Sequence, residues 1–156
     1  MIPNPDYGVP CVEVVGQALP PGASRCDSLL ERLRIESGTP MFGREIDDRV
    51  LPAEAGLDVL AVSFTKGCYP GQEPVARLRY RGHVNRSLRV LHFEVANPPS
   101  VDAEVLHGER PVGRVTSAAA ADTGAVALAY VREEVPIDAS VSVLGAEATM
   151  SRPARP

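Results

Sequence analysis

Apolar residues along this chain follow two different periods, and the change falls near residue 87. Before it, the clearest pattern is helical. In residues 27–38, Leu29, Leu30, Leu33 and Ile35 recur at helix spacing while charged residues fill the other face. Asp27 or Ser28 can cap this helix, Gly38 can end it, and Thr39-Pro40 prevents its continuation. Residues 72–78 read as the first turns of a second helix, where Pro74 is tolerated because early amides have no intrahelical partner. The apolar run at 59–64 reads as a short buried strand. Residues 12–15 are an edge-strand candidate, set among Pro3, Pro5, Pro10, Pro20 and Pro21, which favour loops or a frayed terminus.

Beyond residue 87 the pattern turns to short β-like segments at 88–95, 103–106, 112–117, 125–131, 140–144 and 146–150. Turn signals separate them at Asn97-Pro98-Pro99, Gly108-Glu109-Arg110, Asp122-Thr123-Gly124, Pro136-Ile137-Asp138 and Gly145. Six short strands at near-regular spacing predict a small antiparallel barrel, whose closure removes exposed edges. Residues 151–156 read as a loose tail.

Composition narrows the class. A hydrophobic content of 44% and a charged content of 23% suit a globular chain rather than a disordered one. Aromatic residues make up 4% with no Trp, and the net charge is −4; both argue against a general nucleic-acid binder. No apolar run approaches the ~20 residues of a membrane span, and the N-terminus lacks the basic and apolar regions of a signal peptide. Cys11, Cys26 and Cys68 are an odd set without a Cys-x-x-Cys pair, which suits the reducing cytoplasm better than a disulfide scaffold. His83, His92 and His107 are scattered, so no zinc spacing arises, and neither a P-loop nor a Rossmann glycine pattern is present.

The densest chemistry lies in Lys66-Gly67-Cys68-Tyr69-Pro70-Gly71-Gln72-Glu73, followed by Pro74-Val75-Ala76-Arg77. Two glycines and a proline impose a tight path. The thiol of Cys68 then falls just before a helix N-terminus, whose partial positive charge favours a thiolate, and Lys66 acts the same way if it faces the sulfur. The alternative is a small buried cysteine that only stabilises the loop. Gln72 and Glu73 can equally cap the helix and orient Lys66, although Gln72 is better explained as a polar contact made from a fixed turn. Arg77, Arg79, Arg81, Arg86 and Arg89, with His83, form a basic stretch without an acid. It reads as a solvated face, as a surface for a phosphate or a glutamate tail, or less readily as an RNA surface. Arg34 and Glu36 read as a solvated helix face.

The Lys-Gly-Cys-Tyr-x-Gly-Gln-Glu-x-Val-Ala-Arg pattern resembles the signature of the YgfZ-type folate-binding proteins, relatives of the glycine cleavage aminomethyltransferase. Three other stretches resemble family elements: Leu33-Arg34-Ile35-Glu36-Ser37-Gly38, Pro52-Ala53-Glu54-Ala55-Gly56-Leu57, and Gly113-Arg114-Val115-Thr116-Ser117. Their order matches as well, and the resemblance covers roughly residues 28–132. Pro74 departs from it, standing where the family more often has an aliphatic residue. The resemblance implies an α+β chain in three parts. Residues 1–83 are the C-terminal part of a folate-binding α/β domain, 84–152 are a six-stranded antiparallel β-barrel, and 153–156 are a tail. It implies tetrahydrofolate or a derivative as ligand, and iron–sulfur client or assembly proteins as partners. Cys68 and Lys66 become the functional pair, Gln72 and Glu73 their polar support, Arg77 an anion contact, and Arg34 and Glu54 residues near the folate. The chain is expected to begin after an N-terminal half that supplies much of the folate cavity, so that half is a further expected partner. The alternatives are an aminomethyltransferase-like enzyme that moves a one-carbon unit, and a non-catalytic protein- or RNA-binding module.

Overall fold

The computed structural model of the chain describes residues 2–4, 6–14, 16, 18 and 20–154, with the side chains of all of these except 2, 3 and 79–81. Strands β1 (Ile2–Asn4) and β2 (Cys11–Glu13) form a small antiparallel ribbon. Helix α1 (Asp27–Ser37) follows, then a long turn-rich segment, then α2 (Gln72–Arg81). The remaining strands are β3 (Arg86–Phe93), β4 (Glu104–His107), β5 (Arg110–Ala120), β6 (Ala125–Arg132), β7 (Val141–Val143) and β8 (Ala146–Ser151). These six form a closed antiparallel barrel in the order β3–β6–β5–β4–β7–β8, with β8 returning onto β3. The α+β class and the six-stranded barrel expected from the strand spacing are therefore observed.

The barrel has two cores because one of its walls is covered. Leu91, Phe93, Val105, Val115, Ala125, Ala127, Ala129, Val131 and Met150 fill the interior. Alanines at alternate positions of β6 leave room there for larger side chains from the facing strands, as a narrow barrel requires. Leu88, Val90, Val126, Leu128 and Tyr130 point outward on β3 and β6 and are sealed by Ile35 of α1, which is fully buried. Strand β6 is thus apolar on both faces, which explains its unbroken hydrophobic run.

Residues at the helix depart from expectation. Leu29 and Leu30 are 43% and 40% exposed. The helix packs through its last turns instead, burying Arg34, Ile35 and Ser37. Cys26 occupies the N-cap and makes no side-chain cap bond, while Asp27 pairs with Arg25. Gly38 ends the helix at φ +76°. A Cβ there would lie 2.4 Å from the Cβ of Pro153, so both backbone and space demand glycine.

That contact corrects the reading of a loose tail. Ser151 closes β8, Pro153 lies against Gly38, and the Ala154 amide donates to the Ser37 carbonyl at 3.1 Å. Residues 155 and 156 lie outside the described residues. The strand expected at 59–64 does not form. These residues turn without a ladder partner, and Val59 is 80% exposed. The edge strand expected at 12–15 is shifted to Cys11–Glu13, and Val15 lies outside the described residues.

Candidate functional site

The Lys-Gly-Cys segment is a surface loop closed by its own side chains. The Gln72 amide donates to the Tyr69 carbonyl at 3.3 Å, and the Tyr69 amide donates to the Gln72 side-chain oxygen at 3.2 Å. The side-chain oxygen of Gln72 therefore closes the turn. Gly71 sits at φ +82°, the left-handed region, as the residue preceding α2. Lys66 donates its amide to the Ser63 hydroxyl at 3.2 Å. Its ammonium lies 4.6 Å from the centroid of the Tyr69 ring, a cation–π contact, so the aromatic face holds the lysine rather than a carboxylate. Cys68 is exposed, with no hydrogen bond among the described residues. It precedes the helix by three intervening residues rather than abutting it. Glu73 and Arg77 are also exposed.

A cavity of about 270 Å³ lies behind this loop, lined mainly by Leu51, Pro52, Phe64, Val75 and Leu78, with Asp58 and His83 as its polar members. The loop leaves this cavity at Phe64 and returns to it at Val75. The run at 59–64 thus contributes a wall residue although it forms no strand.

Arg34 and Glu54 lie elsewhere, in the scaffold that joins the loops to the barrel. Arg34 is 5% exposed, which removes the reading of a solvated helix face. Its guanidinium donates twice to Glu31 at 2.9 Å, to Glu45 at 3.0 Å, to the Thr39 carbonyl at 2.7 Å and to the Ser117 hydroxyl at 2.8 Å. Burial works against its charge, but Glu31 and Glu45 outweigh this and hold it above the ordinary arginine value. The hydrogen bond from Arg34 chiefly lowers Glu31 below the usual carboxylate range.

Glu45 is fully buried and accepts from the Ser117 hydroxyl at 2.6 Å and from the Met41 amide at 2.9 Å, while its carbonyl accepts from Tyr130 at 2.9 Å. Burial pushes the Tyr130 phenol upward. A register shift in β5 between Val115 and Ser117 makes this junction. Without that bulge both residues would share a face; with it, Val115 points into the barrel and Ser117 outward to Arg34 and Glu45.

Glu54 closes its own turn by accepting the Leu51 amide at 3.1 Å. It also receives both arms of Arg86, at 3.0 and 3.3 Å, and that guanidinium lies 4.7 Å from the centroid of the Tyr130 ring. The basic stretch accordingly divides. Arg86 is held by Glu54, Arg89 is buried and paired with Glu133 at 2.9 Å, and Arg77 and His83 are exposed. The side chains of Arg79, Tyr80 and Arg81 lie outside those described. The sequence does not mark Glu45, Ser117 and Tyr130 as site residues; for Ser117 and Tyr130 the available signal was a hydroxyl in a largely buried strand, and Glu45 carried none. Among the described residues no cluster of His, Cys, Asp and Glu could hold a metal.

No family model matches the chain. It is 39% identical over 117 residues to the tRNA-modifying protein YgfZ of Edwardsiella ictaluri, covering 71% of this chain and 35% of that protein. The protein of the same name from Sodalis glossinidius is 37% identical over 99 residues, 60% of this chain and 30% of that protein. The chain thus spans about a third of the length of the curated relatives it matches. Among solved structures, an aminomethyltransferase T of the glycine cleavage system from Bartonella henselae superposes with a TM-score of 0.67. It covers 81% of this chain and 38% of that one at 24% identity, a likeness of fold. Over the residues matched, the chain belongs to the YgfZ family.

Proposed function

We propose that this chain forms the loop-and-barrel part of a folate-binding protein of the YgfZ type, which assists the assembly or repair of iron–sulfur clusters in other enzymes. The observation that carries the reading is the Lys66–Glu73 loop, which presents an exposed thiol with no hydrogen bond among the described residues, while the flanking Phe64 and Val75 line the cavity. Lys66 is the only lysine in the chain, and its placement two residues before Cys68 gives the loop a single ammonium beside a single thiol.

The fit to a reduced folate is partial. The cavity of about 270 Å³ falls just below the ~300–1,000 Å³ of ordinary ligand sites, enough for one ring system. Its apolar walls suit a ring, and Asp58 and His83 offer the few polar contacts that would orient it. The rest of a folate would extend past the loop, where exposed Glu73 and Arg77 can meet polar or anionic groups. A polypeptide matching the remaining length of the relatives would complete the site. Bound tetrahydrofolate supplies a carrier for one-carbon units. Lys66, Cys68, Glu73 and Arg77 are the contact groups, Gln72 fixes their loop, and Arg34 and Glu54 hold the scaffold beneath it. Three free cysteines suit a reducing, cytosolic setting. No helix among the described residues is long and apolar enough to cross a membrane. The name tRNA-modifying carried by the relatives adds tRNA-modification enzymes as a client class.

Complementation tests this reading. A hybrid with this chain in place of the matching portion of the Edwardsiella ictaluri protein is expected to restore iron–sulfur enzyme activity to a strain lacking its own YgfZ. Cys68→Ala and Lys66→Ala should abolish the rescue, and Cys26→Ala should not. Full rescue by Cys68→Ala would remove the thiol from the mechanism.

A further inference from the structure

We propose that a second site, remote in sequence from the Lys-Gly-Cys loop, binds a ligand bearing several phosphate groups. A cleft of about 850 Å³ runs between segment 44–50 and the outer wall of β3, β5 and β6. Arg44 and Arg49 line it from the loop, Arg86 and Arg132 from the ends of β3 and β6, and Arg114 from β5. Five of the chain's 16 basic residues thus line one cleft of a molecule whose net charge is −4.

The carboxylates in and around the cleft offset three of the five arginines and leave two without a partner among the described residues. Glu45 is fully buried, and its oxygens are taken by Arg34, Ser117 and Met41. Asp47 accepts the backbone amide of Arg49 at 2.8 Å, and Asp102 stands 3.6 Å from Arg114. Arg44 is held by Glu31 and Arg86 by Glu54. The guanidinium groups of Arg49 and Arg132 are exposed and have no acidic partner among the described residues.

Register sharpens the point. Arg86 and Arg132 are direct cross-strand partners in the β3–β6 ladder. Like charges placed opposite one another destabilise a sheet. A bound polyanion between them turns that repulsion into attraction. Glu54 takes the Nε and Nη2 donors of Arg86 and the Tyr130 ring lies against its guanidinium, so the orientation of Nη1 is already fixed before a ligand arrives. Arginine forks match phosphate oxygens two at a time, and several around one cleft fit a chain of phosphates better than a single anion. Such a chain is found in a free polyphosphate or in a nucleic-acid backbone.

Titration of the full chain with sodium tripolyphosphate, and separately with a single-stranded RNA 12-mer, tests the assignment. Saturable tripolyphosphate binding is expected, weakened about tenfold or more by Arg49→Glu or Arg132→Glu through loss of a charge-assisted contact. Arg152→Glu makes the same charge change outside the cleft and should leave affinity within about twofold. Both cleft arginines are exposed and have no acidic partner among the described residues, and Arg132→Glu also removes the repulsion with Arg86, so neither variant should melt below the parent, which circular dichroism checks. Displacement of tripolyphosphate by the RNA at much lower concentration would identify a nucleic-acid backbone as the source. Failure of the RNA to displace it would identify a small phosphate compound. Absence of binding to both probes at millimolar concentration would overturn the proposal. So would equal binding of tetraglutamate, or equal weakening by Arg152→Glu.

Discussion

Replacing Glu45 by alanine should be among the most damaging single changes outside the barrel core. Its carboxylate is fully buried and accepts from Arg34 at 3.0 Å, Ser117 at 2.6 Å and the Met41 amide at 2.9 Å. Breaking one side of a buried ion pair costs about 3–5 kcal/mol, because the surviving charge is left in a poor solvent. Arg34 keeps its two bonds to Glu31 and one to the Thr39 carbonyl, which places the loss near the lower end, about 3 kcal/mol. That is a large share of the ~5–15 kcal/mol that typically holds a domain together. The chain has no Trp, so urea unfolding is best followed by far-ultraviolet circular dichroism. The double variant Arg34→Met/Glu45→Leu removes both charges and should recover much of the loss, since apolar replacement of a whole buried pair is often neutral. A loss below about 1 kcal/mol for Glu45→Ala, or strict additivity in the double variant, would refute the assignment of this pair as the junction of helix and barrel.

Two further outcomes follow from local geometry. Glu31 has a folded-state value below its ordinary 4.5, so its contribution is fully present above that pH and is lost as pH falls through the depressed value. Glu31→Gln should therefore flatten the fall in stability below pH 4.5, and identical acid profiles for the two proteins would contradict the pairing. Gly38→Ala should cost about 2–4 kcal/mol, part from the left-handed backbone and part from the overlap with Pro153. Ending the chain at Arg152 should return the overlap part, and no recovery would show that Pro153 does not press on this position.

What the sequence reveals depends on whether a feature repeats. The barrel strands announce themselves through alternation and turn residues, and even β6, hydrophobic from Ala125 to Val131, is bounded by turn signals on both sides. The run at 59–64 has the same local composition but no neighbouring strand to pair with, and a strand without a ladder does not persist. Helix α1 was legible as a helix, whereas its buried face was not. Arg34 goes inward only because Glu45 and Ser117 come from two other segments to meet it, alongside Glu31 of its own helix. A buried charge network has no period, and a one-residue bulge that turns Ser117 outward leaves no trace in composition. The arginine cleft is hidden for the same reason, its members being spread from Arg44 to Arg132. The Lys66–Glu73 motif was legible as chemistry, because glycine, proline and thiol stand together. The use of Gln72 to close the turn, and of Tyr69 to hold Lys66, required coordinates.

The central claim is that the cavity and loop form part of a site for reduced folate. Calorimetric titration with tetrahydrofolate, on this chain and on the hybrid carrying the remaining length of the Edwardsiella ictaluri protein, tests it most directly. Saturable one-to-one binding by the hybrid is expected, with weaker or undetectable binding by the chain alone because its cavity holds only one ring system. Absence of binding by both would contradict it.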